Sequence, residues 1–502
     1  MDYISLTVFT LYFGFLFLIG YMAYRRTKNF SDYILGGREL GPFVGGISTG
    51  ASDMSGWLLL GLPGSIYLGG ISGIWLAIGL AIGAYINWQF VGKRIRVFTQ
   101  VANNSQTLPD FFENRFRDRS KSLRIISSLF ILIFFAFYIS AGLVGGAILF
   151  EQTFGIPYTT ALWVGSSVIV LYTCIGGFFA VAWTDFIQGI LMFLALLIVP
   201  IVTFYHLGGW SDTIAQTGTI SIDHLNIFAG TTTLGIISLL AWGLGYFGQP
   251  HVIVRFMSMT SSRDITIGRS VYTIWNVLGL FGAIFTGFVG IAYFADAPLA
   301  NPETVFIELA QVLFNPWITG LLLVAILSAI MSTISSQLLI SATALSEDLY
   351  KGLFRKNASQ KELLWIIRIG ILAISLFAIL LALNPNSSVL SLVGYAWAGF
   401  GAVFGPAILL TIFWKGTTKN GVLAGMIVGG VTVILWSLLS TPPVGADGVK
   451  LAQSEAVIPF YLYELLPGFV FSTVAILIFS KIGSAPSKEM VEEFDSVKMS
   501  SI

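Results

Sequence analysis

The sequence predicts an all-α polytopic membrane protein with thirteen transmembrane helices, its N-terminus outside the cell and its C-terminus in the cytoplasm. Apolar residues make up 56% of the 502 residues and charged residues only 10%, whereas soluble globular domains carry roughly 25% charged residues. Long apolar runs recur along nearly the whole chain, and the basic residues gather in alternate connections between these runs.

An α-helix needs about 20 residues to cross the hydrocarbon core of a bilayer. Thirteen runs qualify, at residues 4–24, 42–69, 72–91, 125–150, 158–182, 186–205, 232–250, 271–294, 317–345, 362–383, 389–413, 420–440 and 460–480. Very short turns separate 42–69 from 72–91 and 158–182 from 186–205, so hydropathy alone can miscount either pair by one span.

The basic residues set the orientation, because Lys and Arg accumulate in cytoplasmic connections. The odd-numbered connections and the C-terminal tail hold 25 of the 26 basic residues, and only Lys450 lies on the other side. Arg25, Arg26 and Lys28 follow the first span, which has no basic segment before it and no small-residue cleavage site. The first span is therefore predicted to be a retained anchor and not a signal peptide. Arg255 is interpreted as another such topology marker.

Composition excludes several other classes of protein. The net charge of +1 gives no reason to expect nucleic-acid binding, and a single cysteine, Cys174, excludes a disulfide framework. Three scattered histidines form no metal-binding pattern, and no catalytic cluster or signalling domain is visible. We therefore expect no enzyme activity, no cofactor beyond a coupling ion, no obligate protein partner, and a surface that contacts membrane lipid.

The second span departs from an ordinary membrane helix. Glycines, hydroxyl side chains and the carboxylate of Asp53 fill residues 45–57. Gly costs about 1 kcal/mol relative to Ala in a helix, and Ser and Asp side chains compete for backbone groups. An acidic residue at this depth indicates function by default. The alternative is that Asp53 caps a helix that restarts after a break, and this alternative also requires a break.

The seventh span is interrupted as well, by three glycines and a proline between residues 241 and 251. Alone, this pattern is also compatible with a simple kink. The two interrupted spans lie five apart, however, as the first members of two five-span sets, 42–205 and 232–413, and an odd offset inverts the second set. Paired broken helices in inverted repeats are typical of secondary transporters, since irregular backbone at membrane depth lines cavities or is buried in protein. We expect one transporter domain over 1–502, with extra helices at 4–24 and 420–480 and a cytoplasmic tail at 482–502.

The ninth span carries small polar residues on one helical face. Ala329, Ser332 and Thr333 stand at i, i+3 and i+4 and therefore share that face. Their oxygens, together with carbonyls from the break in the second span, form a set suited to a hard monovalent cation such as sodium. The alternative is that both hydroxyls only bond back to the preceding helical turn.

Three stretches of the sequence carry a family resemblance: Leu35 to Pro42, Gly50 to Trp57 and Trp242 to His251. Further such stretches are Ala84 to Trp88, Trp183 to Asp185, Glu308 to Gln311, Glu347 to Lys351 and Gly394 to Gly401. Together they resemble the sodium/solute symporter family, and its proline-transporting members in particular. The resemblance runs along nearly the full chain in order. It implies an inverted-repeat fold like that of the leucine transporter, in a bacterial plasma (inner) membrane.

The resemblance also implies roles for individual residues. For sodium it implies backbone carbonyls of Ala51 and Met54, completed by Ala329, Ser332 and Thr333, with Asp53 supporting the ion nearby. For proline it points to six residues: Ser55, Gly56, Tyr138, Trp242, Tyr246 and Pro250. It places Arg38 on the cytoplasmic side of the permeation path.

Asp185 has two interpretations: a helix N-terminal residue following Thr184, which we favour, or a second cation-sensitive group. The loop 441–459 is longer than the resemblance leads us to expect. The predicted function is sodium-coupled import of L-proline by alternating access. The alternative is a symporter of the same family for another small carboxylate or a sugar.

Overall fold

The computed structural model describes residues 3–24, 30–175, 177–384, 388–442 and 453–500. Within these ranges the chain is built from helices and short connections, and no β-strand occurs there. Three of the predicted topology markers (Arg25, Arg26 and Lys28), residues 443–452 of the loop 441–459, and the last two residues of the tail lie outside the described residues.

The helices follow one another closely. Those of the first half are α1 (Tyr3–Tyr24), α2 (Phe30–Leu35), α3 (Pro42–Asp53), α4 (Leu62–Gly69), α5 (Ile74–Ile86), α6 (Lys93–Val101), α7 (Leu108–Arg115), α8 (Ser122–Phe154), α9 (Tyr158–Ile175) and α10 (Phe178–His206). Those of the second half are α11 (Trp210–Ile220), α12 (Thr233–Ala241), α13 (Pro250–Ser258), α14 (Ser262–Tyr293), α15 (Val305–Leu313), α16 (Pro316–Thr343), α17 (Gln360–Leu381), α18 (Val389–Phe413), α19 (Lys419–Ser440), α20 (Leu465–Ile482) and α21 (Lys488–Ser500).

Ten helical stretches in the described part of the chain are long and apolar enough to cross a membrane. Two shorter apolar stretches, Tyr158–Cys174 and Thr233–Gly248, accompany them. The longest of the ten, Trp57–Val101, contains a turn at Gly70, whose φ of 72° is favoured by glycine. This turn divides α4 from α5.

One predicted boundary is wrong. The sequence predicts a single span over 158–182 followed by 186–205, but α9 ends at Ile175 and α10 already begins at Phe178. The apolar residues 178–182 therefore belong to the second helix of the pair. Hydropathy gives no signal for this stop, since both sides of the turn are equally apolar.

The broken segments lie inside the bundle. α3 packs against α10, α14 and α16, while the short 3-10 segment Trp242–Gly248 packs against α5 and α18. A second group, α8, α9, α16 and α17, packs together beside them. Every residue from Ser48 to Asp53 is buried, so the first break is enclosed by other helices and not by lipid.

Candidate ion and solute site

The first break lies at Met54, where the backbone leaves the helical region (φ −86°, ψ 74°). The amide of Ser55 donates to the carbonyl of Asp53 at 3.1 Å, and that of Leu58 donates to Ser55 at 3.0 Å. In a continuous helix these two amides would donate to the carbonyls of Ala51 and Met54. The break therefore releases these two carbonyl groups from the helical ladder. A π-helical turn, Trp57–Gly61, then leads into α4.

The released carbonyl of Ala51 meets the polar face of α16. Ser332 Oγ donates to it at 2.7 Å, and Thr333 Oγ1 lies 3.4 Å from it. Ser332 Oγ is also 3.1 Å from the carbonyl of Ala329. These contacts are hydrogen bonds, and they bring together the kind of oxygen atoms that a hard cation binds in proteins. The predicted residues of the second and ninth spans thus form one buried cluster of oxygens, in which Ser332 also makes the bond to the preceding turn that was the alternative interpretation.

The Asp53 carboxylate is buried beside this cluster. Its Oδ2 accepts a hydrogen bond from the Tyr272 hydroxyl at 3.2 Å, and its Oδ1 is 3.4 Å from Nε2 of His251. The resumed helix begins after Gly56 without a side-chain cap, so Asp53 does not have the capping role considered above. Tyr138 donates to the backbone carbonyl of Asp53 at 3.0 Å and ties α8 to the break.

The second break covers Trp242–Gly248, which is 3-10 helical, and Gln249, which is extended (φ −75°, ψ 110°). Trp397 of α18 lies against this segment and donates its indole N–H to the carbonyl of Trp242 at 2.8 Å. A Cβ at Gly245 would lie 1.9 Å from the same indole nitrogen, so only glycine allows this approach. Pro250 then begins α13, as expected for a residue that lacks an amide hydrogen.

Aromatic rings surround the second break. Trp242 stacks on Tyr463, with ring centroids 5.2 Å apart and planes 15° apart, and also on Trp397 at 6.5 Å. The ring centroid of Trp57, which follows the first break, lies 6.5 Å from that of Trp242. Tyr246 meets Trp397 edge-on at 5.0 Å. The predicted aromatic pair therefore joins a larger buried cluster that links both breaks.

The other predicted substrate residues divide between two places. Ser55 and Gly56 lie in the first break, and a Cβ at Gly56 would meet Ile330 of α16 at 2.9 Å. Pro250 instead lines a narrow cavity with Thr107 and Asp348. This cavity lies where α7 and α13 meet the π-helical segment Ala344–Phe354, which continues α16.

Arg38 holds several chain segments together. It has a positive φ of 59°, and its guanidinium donates to the carbonyls of Met257 at 2.8 Å and Ser105 at 2.7 Å and to the hydroxyl of Thr99 at 3.3 Å. Arg38 thus joins α6 and α13 near their C-terminal ends.

The structure corrects the favoured interpretation of Asp185. Because α10 begins at Phe178, Asp185 lies two turns inside the helix and cannot serve as its N-terminal residue. Its carboxylate is fully buried and forms an ion pair with Arg255, with Nη2 and Oδ2 2.6 Å apart. Ser336 Oγ donates to the same Oδ2 at 3.2 Å. Arg255 is also buried, in the last turn of α13, so it lies inside the bundle and not in an exposed connection.

A cavity of about 420 Å³ is lined by residues of α4 and by Ser388 and Leu390 at the N-terminal end of α18. Glu303 lines it and accepts hydrogen bonds from the hydroxyl of Ser388 (2.9 Å) and the amides of Val389 (3.2 Å) and Leu390 (3.4 Å), at the N-terminus of α18. Burial raises the pKa of the Glu303 carboxyl, and these hydrogen bonds oppose the rise.

Sequence reasoning did not identify Tyr272, His251, Trp397 and Tyr463 as residues of the site, nor Asn276, whose side-chain amide donates to the Tyr272 hydroxyl at 3.3 Å. For Tyr272 and Asn276 a signal was present, since polar residues at i and i+4 share one face of an apolar span. Trp397 and Tyr463 carry no such signal, because aromatic residues are common throughout the chain.

Comparison with known proteins places the chain in a family. The sodium:solute symporter family model matches residues 33–429. The high-affinity proline transporter PutP of Bacillus subtilis is 52% identical over 480 residues, which cover 95% of this chain and 98% of the relative. The sodium/proline symporter of Escherichia coli is 52% identical over 495 residues, 97% of this chain and 95% of the relative. The chain belongs to the sodium:solute symporter family.

The overall fold is shared with a solved structure. A Na⁺-coupled sialic acid symporter, in a substrate-bound outward-open state, matches with a TM-score of 0.78 and 19% identity, covering 97% of this chain and 99% of that one. At this identity the likeness concerns the fold alone. The family and the apolar helices together identify a multi-pass protein of the bacterial plasma (inner) membrane, of a family in which sodium is the coupling ion.

Proposed function

We propose that this protein is a sodium-coupled secondary symporter that imports L-proline by alternating access. One observation carries the proposal: the hydroxyls of Ser332 and Thr333 meet the carbonyl of Ala51 that the first helix break releases. The two relatives described above are named for proline transport, and this supports proline as the solute.

Sodium binds between the first break and α16 in this proposal. Its ligands are the backbone carbonyls of Ala51, Met54 and Ala329 and the hydroxyls of Ser332 and Thr333. The buried carboxylate of Asp53 adds a negative charge nearby, where low polarity strengthens its attraction for the ion. Such an all-oxygen set holds a hard monovalent cation without binding it irreversibly.

Proline binds beside the ion. Its carboxylate faces the amides around Ser55 and Gly56, and its apolar ring packs against Trp242 and Tyr246. Tyr138 closes the site from α8, and Pro250 lines the route toward the cytoplasm. An aromatic wall suits a rigid apolar ring, and its burial contributes about 25 cal/mol per Å² of apolar surface removed from water.

Transport follows from rocking of the broken helices about this site. The repeats 42–205 and 232–413 are related by inversion, with extra helices at both ends of a single domain, and together they alternate access as in other inverted-repeat transporters. The cavity at Glu303 is the outer vestibule, and Arg38 lies on the cytoplasmic side. Asp185 and its partner Arg255 hold α10 and α13 in register during this motion. The cycle includes no covalent chemistry.

The proposed topology has thirteen crossings. It divides the stretch Trp57–Val101 at Gly70, joins α3 to its first part, and adds the two shorter apolar stretches. The N-terminus is outside and the C-terminus inside.

Cysteine labelling tests this orientation. In a variant with Cys174 replaced by Ser, a cysteine at exposed Asp223 should react with a membrane-impermeant maleimide on whole cells. A cysteine at exposed Asn357 should react only after the cells are opened, and the reverse result contradicts the orientation.

The function is tested with purified protein in liposomes. An inward sodium gradient should drive uptake of labelled proline, while a potassium gradient of equal size and protein-free liposomes should not. Excess unlabelled amino acids, small carboxylates and sugars identify the solute by competition. If another solute competes better than proline itself, the protein carries that solute, and absence of sodium-driven uptake contradicts symport.

A further inference from the structure

The hydroxyl of Tyr272 on α14 lies between the two proposed binding elements. It is 3.2 Å from Asp53 Oδ2 and 3.2 Å from the hydroxyl of Tyr246. Asn276, one turn further along α14, donates its amide N–H to the same oxygen at 3.3 Å. The Tyr272 ring stacks on Trp88 at 5.2 Å and is fully buried, so packing holds the hydroxyl in place.

The number of protons available shows which hydroxyl donates in each of these hydrogen bonds. A phenol has one proton to donate, while an ionised carboxylate accepts only. Tyr272 therefore donates to Asp53, because a hydrogen bond to a charged acceptor is the stronger of its two choices. The hydroxyl of Tyr246 then donates to Tyr272. The resulting chain runs from Tyr246 through Tyr272 to Asp53.

This series of hydrogen bonds connects the first helix break to the second. Asp53 is the last helical residue before the first break, two positions after Ala51, while Tyr246 lies within the second break. A cation held by Ala51 fixes the last turn of α3 and with it the Asp53 carboxylate. The position of that carboxylate sets Tyr272, and Tyr272 sets the hydroxyl end of Tyr246, whose ring packs on Trp397.

We propose that Tyr272 is a positioning residue that transmits occupancy of the sodium site to the aromatic wall for the solute. The inference rests on the proposed function and assigns part of its ion–solute coupling to one hydroxyl. Without that hydroxyl, sodium still binds at α3 and α16 and proline still meets the wall, but each ligand no longer prepares the site of the other.

The test measures the coupling factor, which is the ratio of proline affinities with sodium and with choline, by calorimetry on the full-length protein. Tyr272→Phe keeps the ring and removes the hydroxyl. The factor should fall by roughly three- to tenfold, as expected for loss of one buried hydrogen bond. Tyr158→Phe is the matched control, since its buried hydroxyl donates to the carbonyl of Ala382 at 2.8 Å, in a contact between α9 and the end of α17. It should leave the factor unchanged.

A second variant separates positioning from stability. Tyr246→Phe removes the other end of the same contact and should lower the factor by a similar amount, while the double variant should lose no more than either single one. A purely structural role of Tyr272 would lower the melting temperature and weaken both ligands without changing the factor. A native-like factor in Tyr272→Phe overturns the inference, whereas absence of any sodium effect in the native protein contradicts the proposed function itself.

Discussion

The hydroxyl of Ser332 donates a 2.7 Å hydrogen bond to the carbonyl of Ala51, which lies 281 residues earlier in the chain. One partner belongs to an unbroken helix and the other to the last turn before a break. Since the two elements belong to different proposed repeats, a cation that replaces this hydrogen bond would link the two halves of the transporter.

The first prediction concerns that link. Replacing both Ser332 and Thr333 with Ala removes two proposed ion ligands. Because coupling between two ligands is reciprocal, the factor by which sodium strengthens proline binding should fall toward one. Proline binding without sodium should change little. Calorimetry with sodium and with choline measures both quantities.

The control for this experiment is Ser328→Ala. Ser328 lies one turn earlier on α16 and donates to the hydroxyl of Tyr12 at 2.8 Å, away from the break. It should keep the native factor. A sodium effect that survives in a well-folded double variant would place the cation elsewhere.

Asp53 should affect the ion more than the solute. Asp53→Asn keeps the shape but removes a buried charge, and unit charges about 4 Å apart interact by about 4 kcal/mol at an effective dielectric constant of about 20. The sodium concentration for half-maximal uptake should rise at least about tenfold, with proline affinity at saturating sodium much less changed. Asp223→Asn removes the same charge from an exposed position and should behave like the native protein. Unchanged sodium dependence in Asp53→Asn excludes the assigned role.

Trp242 should bind the solute ring. Trp242→Ala should weaken proline binding at saturating sodium by about 1–3 kcal/mol, the range for loss of a large buried apolar contact, which is roughly 5- to 150-fold in affinity. Trp75→Ala, which removes a partly buried indole bonded to the carbonyl of Ile227, is the control and should bind proline normally. Equal affinities in the two variants would mean that Trp242 only packs against its neighbours.

The sequence predicted an all-helical membrane fold because long apolar runs identify membrane helices. It predicted both breaks because glycine, proline and buried polar residues disfavour a continuous helix. It did not predict what the breaks contact, since Tyr272 is 219 residues from Asp53 in the chain, and the polar pair that it forms with Asn276 marks a helix face without showing which segment that face contacts. The ion pair of Arg255 with Asp185 was not predicted for the same reason, because the two residues are 70 positions apart in the chain.

The last prediction concerns the buried pair of Asp185 and Arg255. Both side chains are almost fully inaccessible, and Arg255 also donates to the carbonyl of His251 at 2.8 Å. Removing one partner leaves an uncompensated buried charge, which typically costs about 3–5 kcal/mol. Asp185→Ala and Arg255→Ala should therefore each lower the melting temperature in detergent strongly. The double variant Asp185→Leu/Arg255→Met should be more stable than either, because an apolar pair of similar volume leaves no charge behind. In the matched cycle, the double variant Asp185→Ala/Arg255→Ala should lose less stability than the two single variants lose together; a loss equal to their sum would show that the two residues do not interact, and that the ion pair does not hold α10 to α13.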